Sequence, residues 1–493
     1  MKKYYLLISL IILTAWVKAQ SSLQLVKFTN KSGSVYSLAQ PSAFLSAKSI
    51  QRRIKQKILI DSTDLPVNPA YLEGIKKIPG VRLHNVSKWL NQVMVEVADS
   101  SALQQINALP FVAHEKTKQI KTIITSADPF EQKFKETFGT LPDSLVSYKP
   151  RSSTRASGAA DDLINYGSSY NQVHIHEGEY LHNLGFRGEG MTIAMLDAGF
   201  NSYLTNAALE PARSAGRIKG EYDFVNNEFS VNEDNTHGFF CLSILTSDLP
   251  GVMVGTAPRA NYYLYRTENV ASESIAEEQN WATAAEKADS VGVDMISSSL
   301  GYINFDDPLM NHSYAQRDGN TALITNAADL AAKKGNGTSF SNPNVAGLIA
   351  CLWQAFSEFT NMEIIDAVQK SSDKYNNPDE RYGYGLPNFH TAYNILQQKR
   401  EANLQHILNP GWIKAFKMPF DKTFTVLLRA PASGNASFQI LDAAGRLLQK
   451  KSMIIQQDNY YYIDFAPPVT AAGIYYLHYD DGKNKTVLKL TKL

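Results

Sequence analysis

Cysteine is nearly absent, with Cys241 and Cys351 the only two in 493 residues. Two thiols cannot close a four-cysteine zinc site, no histidine cluster makes up the difference, and a disulfide-built scaffold is excluded. Each cysteine lies in an apolar run, which favours buried free thiols over a bond between them. Charge of one sign is missing too. Forty-eight Lys and Arg face 47 Asp and Glu, a net charge of +1, and no tract is all of one sign. Nothing in that balance calls for nucleic acid or an anionic membrane. Beyond the N-terminus no run reaches about 18 apolar residues, so no later segment is expected to span a bilayer.

What is present suits folded domains. Hydrophobic residues make up 44% of the chain, with 22 Phe and 25 Tyr, and the length allows about three domains. The first residues run M-K-K-Y-Y-L-L-I-S-L-I-I-L-T-A-W-V-K-A. A basic start, a short apolar centre and V-K-A predict a secretory signal peptide over 1–19, cut after Ala19, and so a secreted or cell-surface protein.

Chemistry concentrates in three stretches. Gly335 to Gly347 reads G-N-G-T-S-F-S-N-P-N-V-A-G. Small residues let the backbone turn sharply, and Pro343 with Val345, Leu348, Ile349 and Leu352 starts a buried helix behind it. Ser339 therefore stands at a helix N-terminus, where free N–H groups favour developing negative charge. A serine alone is inert. Upstream, the apolar strand Met191–Leu196 ends at Asp197, and His237-Gly238 opens a second apolar run. Each residue has an ordinary structural reading: a turn former, a satisfied histidine, a helix cap. In the order Asp, His, Ser, each at the end of its element, they share one economical reading. The histidine takes the serine proton, and the carboxylate fixes the tautomer and steadies the imidazolium.

That order, with D-A-G at 197–199, H-G-F at 237–239 and G-T-S-F-S-N-P at 337–343, resembles the subtilisin-like serine peptidases. The family signatures are D-[ST]-G, H-G-T and G-T-S-[MA]-[AS]-x-P; Ala198, Phe239 and Phe340 depart from them. Further likeness lies in G-T-A-P at 255–258, G-Y-G-L-P at 383–387 and the strand end Ser299-Leu300-Gly301, so that it runs from about 167 to about 396. The resemblance implies catalytic Asp197, His237 and Ser339. It also implies that Ser299, Leu300 and Gly301 pair with the backbone of an extended peptide. No cofactor is expected, and no metal site is assigned, since no calcium-ligand loop stands out among the scattered Asp and Asn residues.

The chain then divides as follows. Residues 20–120 read as an α+β unit: strands at 23–29, 81–86, 92–97 and 111–120, helices at 69–78 and 100–109, the latter capped by Ser100. This resembles the propeptide of the family, which assists folding and occupies the substrate groove until it is cut away. Residues 121–162 are Ser-, Thr-, Ala- and Pro-rich, a linker open to maturation cleavage, with Arg151 or Arg155 as the scissile position. Residues 163–400 predict an α/β domain with a parallel sheet, subtilisin-like in the light of the resemblance. Its helix at 318–334 would turn Ala322, Leu323, Ala327 and Leu330 to the core. Residues 403–493 alternate in short strands with Gly turns and predict a β-sandwich. Asn409-Pro410, I-L-D-A-A-G-R at 440–446, G-I-Y-Y-L at 473–477 and V-L-K-L-T-K-L at the end resemble the C-terminal sorting domain of type IX secretion cargo. That implies the type IX machinery as a partner, beside a peptide or protein substrate and the chain's own propeptide.

One family feature is missing. His237 and Ser339 stand 102 positions apart, and no A-G-N segment lies between them to supply the oxyanion asparagine, which stays unidentified; Asn336, Asn320 and Asn326 are no obvious substitute. An internal segment near 335 is lacking by this reading. Two functions follow. The first is a secreted endopeptidase using the triad. The second is an impaired relative that acts as a surface-binding or structural protein.

Overall fold

The structure, a computed structural model, describes residues 22–113, 118–120, 162–335, 337–339, 343–380, 382–469 and 471–493; for 118–120 and 337–339 it describes the backbone. The expected signal peptide, Arg151, Arg155, Asn336 and Phe340 lie outside the described residues. Two compact units divide between Tyr393 and Asn394.

The N-terminal part of the first unit is a four-stranded antiparallel sheet in the order β2-β3-β1-β4. Its strands are β1 (Ser22–Lys27), β2 (Val81–Ser87), β3 (Gln92–Val97) and β4 (Lys118–Ile120). Helices α2 (Pro69–Lys76) and α3 (Ser100–Asn107) cover one face. Ile75, Val93, Val95, Ile106 and Val112 form the core between them. α3 is capped by Asp99, whose carboxylate accepts from Ala102 N, and not by Ser100: the carboxylate is the stronger acceptor at a positive helix end. The expected last strand begins as a single bridge between Phe28 and Val112. An unpredicted helix, α1 (Ala47–Gln56), precedes all of these helices.

The rest of the unit is built on a parallel sheet. Its strands are β5 (Thr192–Asp197), β6 (Ile218–Asp223), β7 (Asn261–Arg266), β8 (Met295–Ser298) and β9 (Gly337–Ser339), in the order β9-β8-β5-β7-β6. Every residue of β5 is buried, as a strand covered on both faces requires. Helix α4 (His237–Thr246) is followed by α5 (Ile275–Val291), α6 (Leu323–Lys333), α7 (Pro343–Ala355) and α8 (Asn361–Lys370). α5 starts on a capping box between Ser274 and Glu277. It buries Trp281, Ala284, Ala285 and Ala288 against Ala194, Leu196 and Ile296 of the sheet. α6 begins five residues later than expected, because Asp318 spends its carboxylate on the backbone N–H groups of Asn320 and Thr321. Its buried face is Ile324, Ala327, Ala328 and Ala331, which corrects the expected face at Leu323 and Leu330.

In the second unit two antiparallel sheets hold one core. Strands β10 (Ile413–Phe416), β11 (Phe424–Arg429) and β14 (Tyr460–Phe465) form one sheet. The other contains β12 (Gly434–Asp442), β13 (Leu447–Ile455), β15 (Gly473–Asp480) and β16 (Lys485–Lys492). Phe420, Phe424, Phe438, Ile440, Phe465 and Leu477 lie between them. Helix α9 (Phe389–Leu408) crosses the division between the units.

Candidate active site

β5 delivers Asp197 to the C-terminal edge of the parallel sheet, the edge where open α/β folds hold their sites. Its side chain is fully buried, and Oδ1 accepts from Ala198 N at 2.7 Å. His237 opens α4, and its Nδ1 donates to the same Oδ1 at 2.7 Å. The preceding turn fixes the ring's position through Asn235, whose Oδ1 accepts from His237 N at 2.7 Å.

Glycine at 238 is what allows this approach. A Cβ there would lie 2.5 Å from Gly199 O and 2.9 Å from Asp197 Cβ, so a larger residue would push the first turn of α4 off the strand. A second close approach sets α7. A Cβ on Gly347 would lie 2.0 Å from Thr256 Oγ1, so the helix behind the Ser339 turn packs directly on the G-T-A-P loop.

Burial works against charge on the His237 ring, yet the hydrogen bond to Asp197 outweighs it and holds the pKa well above the usual 6.5. Cys241, one turn further along α4, sits with Sγ 3.9 Å from Nδ1 and 4.0 Å from Nε2. Burial pushes its thiol up, so the sulfur beside the ring is neutral. Asp197, His237 and Cys241 place donor atoms within 4.8 Å of one another, the one such trio among the described residues. Cys241 and Cys351 are both free and buried.

Ser339 ends β9, which pairs in parallel with β8; Ser297 stands opposite both Ser339 and Met195. With strands about 4.8 Å apart, the Ser339 backbone lies about 10 Å from Met195, at the same sheet edge as Asp197. Asp197 and His237 are thus in contact, and the serine's backbone ends at the same edge, two strands away. Ser299, Leu300 and Gly301 follow β8 at that edge, Leu300 buried and the other two half-buried. Asn326 donates to Asn320 O at 3.3 Å within its own turn.

Sequence reasoning missed Asn235 and Arg266, and it read Cys241 as the buried free thiol that it is without setting it beside the His237 ring. The Arg266 guanidinium is buried with Asp223 at 2.7 Å and Asp234 at 3.1 Å, and its Nε donates to Ala198 O at 3.3 Å. It braces the chain just after Asp197 and could not be placed without the parallel pairing of β6 and β7. The position of Cys241, four residues after His237 on one helix face, was legible.

The Subtilase family matches residues 188–331 and 315–385, and the peptidase S8 propeptide domain of Bacteroidota matches 23–135. Thermitase of Thermoactinomyces vulgaris is 34% identical over 118 residues, 23% of this chain and 38% of that protein. The chain therefore spans well under half of this relative's length. Among solved structures, fervidolysin of Fervidobacterium pennivorans, a keratinolytic enzyme related to subtilisin, overlays with a TM-score of 0.44 at 11% identity, over 96% of this chain and 89% of that one. MycP1 of Mycobacterium smegmatis gives 0.34 at 14% identity, over 46% and 83%. Overlays of this extent leave the assignment to the family matches. Residues 188–385 are a Subtilase family domain, and 23–135 ahead of them are a peptidase S8 propeptide domain.

Proposed function

We propose that the chain is the precursor of a secreted serine endopeptidase that hydrolyses peptide bonds through Asp197, His237 and Ser339. The observation that carries this reading is the 2.7 Å bond between His237 Nδ1 and the buried Asp197 carboxylate, at the sheet edge where the strand of Ser339 also ends. The bond leaves Nε2 to act as the base. Ser339 Oγ attacks the scissile carbonyl, His237 takes its proton and then gives it to the leaving amine, and Asp197 steadies the imidazolium between the two steps. The strand end at Ser299–Gly301 would pair with the backbone of the substrate, an extended peptide.

In this reading residues 1–19 are removed on export, the propeptide domain occupies the groove until the 121–162 linker is cut, and the C-terminal unit is the type IX sorting domain. Support for the last is its two-sheet architecture together with the sequence pattern of 403–493. No helix among the described residues is long and apolar enough to cross a membrane.

A fluorophosphonate probe tests the nucleophile. Linker-cut protein should take up one probe, mapped to Ser339 by peptide mass, and Ser339→Ala should take up none. A correctly folded, linker-cut wild type that stays unlabelled would refute the assignment and favour the impaired relative.

A further inference from the structure

The G-T-A-P loop, residues 255–258, lies between the two helices of the candidate active site. Its backbone N–H groups close the end of α4: Gly255 N donates to Ser247 O at 2.8 Å, Thr256 N to Ile244 O at 3.0 Å and Ala257 N to Leu245 O at 2.9 Å. The carbonyls at a helix end need such donors, and this is the helix that His237 begins. The fit is close, since a Cβ on Gly255 would lie 2.4 Å from Leu245 O. On its other side the loop meets α7, where Thr256 Oγ1 occupies the place that a Cβ on Gly347 would take. α7 starts at Pro343, four residues after Ser339. The loop is therefore a spacer between the helix of the base and the helix behind the nucleophile.

One side chain outside the triad holds that spacer. His182, in the short helix Glu179–Asn183, is fully buried, and its Nε2 lies 3.0 Å from Thr256 O. A carbonyl only accepts, so Nε2 carries the ring proton, and Nδ1 accepts from the Tyr166 hydroxyl at 2.8 Å. Burial pushes the Tyr166 phenol up and, against the bond to Thr256, brings the His182 ring down to about 4. At neutral pH the phenol thus keeps its proton, the ring is uncharged, and each bond has one direction.

Two further contacts meet at the same place. Cys351 of α7, its thiol kept protonated by burial, donates to Thr256 O at 3.1 Å. A thiol is a weak donor, so the imidazole N–H is the main partner of this buried carbonyl. The helix of His182 also rests on α7, for a Cβ on Gly178 would lie 2.5 Å from Leu348 Cδ2.

We propose that His182 is a positioning residue for the triad: by holding Thr256 O it sets the spacing of α4 and α7, and with it that of His237 and Ser339. As to Ser339 this rests on the peptidase reading; the fixing of the loop and of α7 stands without it.

Amide exchange of the full chain reads the clamp, and fluorophosphonate labelling of the linker-cut protein reads its effect on the chemistry. Two substitutions separate the ring nitrogens. In His182→Gln the side-chain amide reaches the place of Nε2 and can donate to Thr256 O; in His182→Asn it reaches only the place of Nδ1, so Tyr166 keeps its acceptor and Thr256 loses its donor. Peptides covering 255–257 and 344–351 should exchange at least about tenfold faster in His182→Asn, and within about threefold of wild type in His182→Gln. Labelling should divide in the same way. In His182→Asn the rate at saturating probe should fall at least about tenfold while the half-saturating concentration stays as in wild type, because the reacting geometry is spoiled and binding is not. Unchanged exchange in His182→Asn, exchange raised evenly over the whole first unit, an equal loss in His182→Gln, or a fall confined to probe binding would overturn the proposal. Should His182→Asn not accumulate, Tyr166→Phe decides: it removes the donor that fixes the tautomer, exchange in the two peptides should rise at least about threefold, and no rise overturns the proposal. A folded wild type that stays unlabelled, with the expected exchange pattern, sinks the peptidase and keeps the clamp; label on Ser339 with exchange unaltered in the variants does the reverse.

Discussion

Glu286 offers the sharpest quantitative test of the contact between propeptide and catalytic domains. Its carboxyl is buried in α5 under the turn Ser87–Trp89, and burial lifts its pKa from 4.5 to about 7, against the pull of Lys88 and the three hydrogen bonds. Because the folded value is the higher, the stabilisation it brings is complete below the unfolded value of 4.5 and is lost as pH rises through about 7. At 1.36 kcal/mol per pKa unit, the span is worth about 3 kcal/mol. Denaturant unfolding of wild type and Glu286→Gln between pH 5 and pH 8 reads it. Lys88 and Lys31, also held low by burial, are pulled back up by the Glu286 charge, so the difference reports the carboxyl together with its coupling to these lysines. Wild type should lose about 3 kcal/mol relative to the variant on going from pH 5 to pH 8. Parallel pH profiles for the two proteins, or a relative gain for wild type, would refute the reasoning.

Four further outcomes follow. Activity of the linker-cut protein should rise with pH to a limb above 6.5, since the base must be neutral and Asp197 raises its pKa; in Asp197→Asn the residual labelling should show that limb moved down, as read from rate against pH. Gly238→Ala should cut the labelling rate by at least about tenfold, because its Cβ would meet Gly199 O at 2.5 Å and a misplacement of that order costs up to about 100-fold; an unchanged rate would count against the placement of α4. Inserting a segment with an oxyanion asparagine between Gly335 and Asn336 should raise the rate by about 10² to 10³, the size of that contribution in subtilisin itself; no gain in a folded insertion variant would show that the donor is already supplied. Removing 403–493 should leave the chain in the periplasm with the first unit folded, since the two units bury separate cores; export of the truncated chain would exclude the sorting role.

The sequence made Asp197, His237 and the parallel sheet legible because their signals are local: an apolar strand ending in a carboxylate, and a His-Gly pair before an apolar run. α1 was illegible for a physical reason. Pattern reading looks for an apolar face, and this helix buries Ser49, Arg52, Arg53 and Gln56 and exposes Ile54. Its ion-pair partner Asp289 lies more than 200 residues away in the chain. The start of α6 failed in the opposite way: Ala322 and Leu323 fit a helical period, but the Asp318 turn competes for the same backbone. Arg266 needed the sheet order before it could be set beside Ala198.

The central claim is a working triad, and hydrolysis of an unfolded protein tests it most directly. Linker-cut wild type is incubated with casein beside Ser339→Ala and His237→Ala made and cut in the same way, and new N-termini are counted. The account predicts cleavage by wild type that falls at least about 10³-fold in either variant. Cleavage that survives Ser339→Ala, or its absence from a wild type that has folded and been cut, would contradict it.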